Sequence, residues 1–200
     1  ELRRARGIVF GTGPSETDIL IVTEAPTEKD VKTGSPLSGE DGDITERLLE
    51  SANIELKSVF RTPVVGCRPY AVLPETDSSP LVVQDRLPTA GEVDACKERL
   101  RRIIYLVDPR LIIAMGEAPW KSLVTTKDRG RINTIAEAAG NLFEAYIPGR
   151  IRPVCYPVMA TLSPRQIAAN PSVADHGPIA STMETLQRAA KYVAWLKTET

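Results

Sequence analysis

"DILIVTEAPTEKDVKTGSPLSGEDGDITERLL", residues 18–49, opens with a run that has no charge between Ile19 and Val22. β-Branched residues in so short an apolar run predict a buried strand over 18–24. It breaks at Ala25-Pro26. A turn with the pattern Gly34-x-Pro36-x-x-Gly39-x-x-Gly42 follows. Glycines at such a turn let backbone N–H groups approach a ligand at a helix N-terminus. The next segment, 43–54, reads as a helix with Ile44, Leu48 and Leu49 on one face. Strand, glycine-rich turn and helix in this order open an α/β fold with a ligand site at the strand's carboxyl end.

The remaining chain repeats the alternation. Strands are predicted at 58–67, 109–116 and 151–160, and helices at 92–107, 117–124 and 177–199. Pro63 cannot donate to a ladder, so the second strand is bulged or at an edge. The stretch 73–91, with three prolines, reads as a long polar connection, of a length that is usually either functional or disordered. The pattern predicts a three-layer α/β/α sandwich around a short, mostly parallel central sheet, in one domain spanning 1–200. The strand ends then gather Glu24-Ala25-Pro26, Gly66-Cys67-Arg68, Gly116 and Thr161-Leu162-Ser163.

Bulk properties exclude several classes. Net charge is −1, so any phosphate-binding surface is a local patch. No apolar run reaches the roughly 18–20 residues of a membrane span. No signal peptide is visible, and a cytoplasmic monomer is expected. A single histidine, His176, all but excludes Ser-His and Cys-His catalytic pairs and reads as a solvated or capping residue. Three cysteines are too few for a disulfide scaffold. Cys155, inside a strand, reads as a core thiol.

Taken together, Thr23-Glu24-Ala25-Pro26, Gly34-Ser35-Pro36-Leu37-Ser38-Gly39, Pro63-Val64-Val65-Gly66-Cys67-Arg68-Pro69, Cys96, Met115-Gly116 and Ser163-Pro164-Arg165 form an ordered set. The set resembles the uracil-DNA glycosylase superfamily, especially its iron–sulfur (family 4) branch, over nearly the whole chain. That resemblance implies hydrolysis of an N-glycosidic bond on a base flipped out of duplex or single-stranded DNA. It implies Glu24 as the principal acidic residue, with Asp30 a weaker second carboxylate and Ser163 at the last catalytic loop. Ala25, Pro26, Leu37, Gly39 and Pro63 would line the base pocket. Arg165, Gln166, Arg68 and Arg86 would contact DNA, and Ile167 would act as a wedge. Arg61 is a further phosphate candidate. Gln84, Asp85 and Arg86 are the polar candidates of the 73–91 connection. Cys67 and Cys96 match two of four ligands of a [4Fe-4S] cluster, the other two belonging upstream of residue 1. On these 200 residues alone a four-cysteine cluster cannot form.

The departures from the family pattern fall in the site. The uracil-reading Asn falls on Pro63, the stacking aromatic on Leu37, and the His that supports the leaving base on Ser163. Three recognition positions are therefore rewritten together. A pocket remade for a modified or other non-uracil base is the leading expectation. The alternatives are an inactive DNA-binding or replication-accessory module, and a nucleoside or nucleotide N-glycosidase. Repair, defence and viral settings all fit the sequence.

Overall fold

The computed structural model describes residues 7–73, 82–149, 152–172 and 177–199. His176 lies outside them. The first half of the chain runs β1 (Ile19–Thr23), α1 (Glu28–Thr33), α2 (Glu40–Glu50), β2 (Phe60–Pro63), β3 (Tyr70–Leu73), β4 (Val82–Asp85) and α3 (Ala90–Val107). The second half runs β5 (Leu111–Met115), α4 (Glu117–Leu123), α5 (Thr126–Arg129), α6 (Ile135–Ala138), β6 (Leu142–Ile147), β7 (Val154–Thr161), α7 (Pro164–Ala169) and α8 (Pro178–Thr198).

Five strands form the central sheet in the order β2-β1-β5-β7-β6. All neighbours are parallel except β6 and β7. Every residue of β1 and β5 is buried, as a parallel sheet covered on both faces requires. Side chains alternate between the layers. Leu20, Val22, Ile112 and Ala114 face a cluster with Leu100, Ile104, Trp120 and Leu123 from α3 and α4. Ile19, Ile21, Ile113 and Met115 face Leu48, Leu49, Leu186, Ala189 and Val193 from α2 and α8. The architecture is the three-layer sandwich around a mostly parallel sheet. Pro63 ends β2 at the sheet's edge, where a missing donor is tolerated.

Four readings of the sequence are corrected. The second strand stops at Pro63: residues 64–67 bend, although Val64 N still donates to the Thr23 carbonyl at 2.8 Å. Within the 73–91 connection, Leu73 ends β3 and Val82–Asp85 form β4, which pairs antiparallel with β3 and places Gln84 and Asp85 on a strand. β6 is an additional strand, an edge with one buried face made by Phe143, Ala145 and Ile147. Cys155 is exposed on β7 rather than in the core. Among the described residues no helix is long and apolar enough to cross a membrane.

Ile113 is fully buried on a central strand. Ile113→Ala is expected to cost about 2–5 kcal/mol through lost burial and a residual cavity. Urea denaturation checks this, and a loss below about 1 kcal/mol would contradict the packing described.

Candidate active site at the carboxyl ends of the strands

Glu24 follows β1 directly, and the backbone there aims its side chain across the neighbouring strand end. Its carboxylate reaches the start of α4, beside the N–H groups of Glu117 and Ala118 and the Ser163 hydroxyl, and lies within the electrostatic reach of the Arg165 guanidinium. That approach needs Gly116. A Cβ on Gly116 would lie 2.7 Å from the Glu24 side chain, and its φ of +105° disfavours any other residue. Burial raises the Glu24 pKa above the ordinary glutamate value, while the two amides, Ser163 and Arg165 oppose the rise. The site thus holds a carboxyl that ionises less readily than a solvated one, with its anion partly supported by fixed dipoles.

Ser163 is not in an open loop. It is the N-cap of α7: its Oγ accepts from Gln166 N at 3.3 Å, and the Gln166 side chain accepts from Ser163 N at 2.9 Å. Such a reciprocal box satisfies two N–H groups of the first turn. Pro164 occupies the first turn, where its missing N–H costs nothing. The cap holds the hydroxyl, 3% exposed with its residue, beside Glu24.

The glycine-rich turn closes the opposite wall. Asp30 is 4% exposed and spends both carboxylate oxygens on backbone, accepting from Thr27 N at 2.8 Å and Ser38 N at 2.7 Å. It therefore shapes the turn, and it is not the free second carboxylate expected from the sequence. Gly42 lets α2 press on the turn, since a Cβ there would fall on the Leu37 carbonyl oxygen. Leu37 itself sits at φ 58°, a left-handed conformation uncommon for a leucine and of the kind that clusters at functional sites.

These elements enclose a pocket of about 30 Å³ lined by Glu24, Ala25, Leu37, Asp41, Ser163 and Arg165, among others. It adjoins a cleft of about 580 Å³ between the starts of α3, α4 and α7. Leu87, Pro88, Glu24, Ser163 and Arg165 border both. Pro26, Gly39 and Pro63 do not line either space. Gly39 caps α2 instead, and the Pro63 carbonyl accepts from Arg99.

The expected DNA contacts are redistributed. Arg68 pairs with Asp85 and with Glu28, and Arg86 makes a two-pronged pair with Glu92 at 2.7 and 2.8 Å. Those bonds hold the β3–β4 hairpin and the start of α3 in place, and they account for the low pKa of Glu92, about 2. Arg61 is bonded to the Pro36 and Leu56 carbonyls. Gln166 gives its side-chain oxygen to the cap, and it is exposed at the rim of the cleft. Ile167 is 3% exposed and packs in the core with α2 and α8, so it is not presented as a wedge. Arg165 remains exposed at the pocket. Sequence reading missed Asp41 and the cleft residues Val93, Lys97 and Lys121, which the folding of α2, α3 and α4 brings there. The acidic first turn of α2 was the only signal for Asp41.

Cys67 and Cys96 come close enough to feel each other's charge, with Arg99 beside both. The Arg99 Nε is buried with no hydrogen-bond partner. Two soft thiol donors flanked by an unsatisfied cationic donor suit half of an anionic iron–sulfur centre. Among the described residues no group of three or more His, Cys, Asp or Glu could hold a metal.

A family model described as "Uracil DNA glycosylase superfamily" matches residues 10–194. A type-4 uracil-DNA glycosylase of Pyrobaculum aerophilum is 28% identical over 168 residues, covering 84% of this chain and 76% of that protein. One from Thermotoga maritima is 29% identical over 150 residues, 75% of this chain and 69% of the relative. One from Sulfurisphaera tokodaii is 33% identical over 109 residues, 54% of this chain and 44% of the relative.

Ser163 and Arg165 both favour the ionised form of Glu24, so removing either should make the carboxyl hold its proton more tightly. Carboxyl-carbon NMR titration is expected to place Glu24 above the ordinary glutamate value. The pKa should move further up in Ser163→Ala and in Arg165→Ala. Ser163→Ala should also lose about 1 kcal/mol with its cap. An unchanged or lower pKa in both variants would contradict the geometry.

Proposed function

The chain belongs to the uracil DNA glycosylase superfamily, and from that membership and the cradle around Glu24 we propose that it hydrolyses the N-glycosidic bond of a flipped-out base in DNA, one other than plain uracil. The observation that carries the reading is the Glu24 carboxylate, held at the junction of three strand ends and opening on a pocket.

The chemistry asks for what this site offers. As the bond between C1′ and the base nitrogen lengthens, positive charge grows on the sugar and the electron pair leaves with the base. Ionised Glu24 stabilises that cation electrostatically. A water oxygen then bonds to C1′, one of its protons passes to Glu24, and a proton returns to the departing nitrogen. The α4 amides and Ser163 keep the carboxylate from turning away. Arg165 lines the pocket with Glu24 and offers positive charge to a leaving base or a phosphate, and Lys97 extends positive charge along the cleft.

Two features support a base other than uracil. Pro63 offers no side-chain hydrogen bond and lies away from the pocket. Leu37 contributes an aliphatic wall instead of a stacking ring. A pocket of about 30 Å³ has room for a water and not for a base ring, so a substrate base would enter beside Glu24 only with movement of the Leu37 turn. Cys67 and Cys96 would hold an iron–sulfur cluster completed by two further ligands. Its contribution there would be to brace the end of β2 against α3.

The test is abasic-site formation on duplex and single-stranded DNA carrying a panel of natural and modified bases. At least one base is expected to be released, and Glu24→Gln should lower the single-turnover rate by about 100-fold or more. If no base is released, or if Glu24→Gln matches the wild type, the reading fails. Salt-sensitive DNA binding without cleavage would then point to an accessory module.

A further inference from the structure

Given the base-excision reading above, we propose that Asp41 is a specificity-determining residue of this site. It accepts a hydrogen bond from an exocyclic amino group on the edge of the flipped base. Amino-bearing bases are then taken in preference to their oxo counterparts.

Asp41 lies in the first turn of α2, which the close contact between Gly42 and Leu37 presses onto the pocket. It lines the same space as Glu24, Leu37 and Arg165, whereas its neighbours Glu40 and Asp43 are exposed to solvent. Its carboxylate is available. Among the described residues only its main-chain carbonyl is engaged, accepting from Thr45 Oγ1 at 2.6 Å. Of the other two pocket carboxylates, Glu24 faces the α4 amides and Asp30 accepts backbone N–H groups on both oxygens. Burial pushes the Asp41 carboxyl up, and the charges of Asp30, Glu40 and Asp85 add to that, with Arg165 opposing. An unpaired carboxylate in such surroundings gains from meeting a donor.

The direction of selectivity follows from hydrogen-bonding capacity. An ionised carboxylate only accepts. Facing a carbonyl oxygen, as on uracil, thymine or hypoxanthine, it meets a second acceptor and repulsion. Facing the amino group of cytosine or adenine, it gains a charge-assisted hydrogen bond. The same contrast explains why a side-chain amide is dispensable at Pro63: the reading group has moved from the end of β2 to the start of α2.

Recognition is measured apart from cleavage with duplexes carrying 2′-fluoroarabino nucleotides, whose glycosidic bond resists hydrolysis. Affinities are compared within the pairs cytosine and uracil, 5-methylcytosine and thymine, adenine and hypoxanthine. The wild type is expected to favour the amino member of at least one pair by about tenfold or more. Asp41→Asn, which both donates and accepts, should erase that preference, and Asp41→Ala should reduce it. A wild type that favours the oxo member throughout, or a preference unchanged in Asp41→Asn and Asp41→Ala, overturns the proposal. If the preference and its loss are seen while no natural-sugar substrate is cleaved, Asp41 stands as the reader and the glycosylase reading alone fails.

Discussion

The structure turns on one contact: the Glu24 carboxylate pressed over Gly116 onto the first turn of α4. A half-buried carboxylate is costly unless its lone pairs meet donors. Here the carboxylate and its donors come from segments that follow three different strands. β1 supplies the glutamate, β5 the glycine and the α4 amides, and β7 the capped serine. The parallel order β1-β5-β7 is what sets these ends side by side. A shift of one residue in the β1–β5 register would exchange the faces of every side chain and take Glu24 off α4.

The second wall is built by local constraints instead of the sheet. Asp30 ties the turn to the start of α1 through its capping box with Thr27 and its bond to Ser38 N. Leu37 is held in a left-handed conformation, and Gly42 allows α2 to close over it. The result is a pocket with an aliphatic side, the Glu24 carboxylate on one flank and the Asp41 carboxylate on the other. Its polarity differs from that of a site built from side-chain amides, which both donate and accept. On the proposed reading, this difference connects the rewritten motif positions to a change of substrate without requiring a change of reaction.

Much of the fold was legible because its central strands are buried on both faces. Runs such as Ile19–Val22 and Leu111–Met115 have no competing periodicity. α3 and α8 carry long amphipathic patterns, and their bounds agree with the sequence to within about two residues. β6 was not legible: its exposed positions include Leu142 and Tyr146, so the inside–outside alternation is masked by apolar residues on both faces. The segment after Ser163 was read as a loop because a six-residue helix shows less than two turns of pattern. Its capping box, Ser163 with Gln166, was present as a signal.

For the site, sequence order located Glu24, Leu37 and Ser163 but misjudged residues whose partners are distant in the chain. Arg68 and Arg86 read as phosphate ligands because nothing local pairs with them. Asp85, 17 residues from Arg68, and Glu92, brought round by the turn before α3, decide otherwise. Ile167 looked like a surface wedge until α2 and α8 covered it. Asp41 was hidden among four acidic residues between Glu40 and Glu46, and only the contact of α2 with the turn singles it out.

The central claim is that an ionised Glu24, supported by the α4 amides and Ser163, drives cleavage. Its most direct test is the single-turnover pH–rate profile on a cleaved substrate. Activity should fall as pH drops through the Glu24 pKa, because protonation removes the charge that stabilises the sugar cation. The acid limb should therefore lie above the ordinary glutamate value and shift to higher pH in Ser163→Ala. A rate independent of pH across that range, or a limb that Ser163→Ala leaves in place, would contradict the account.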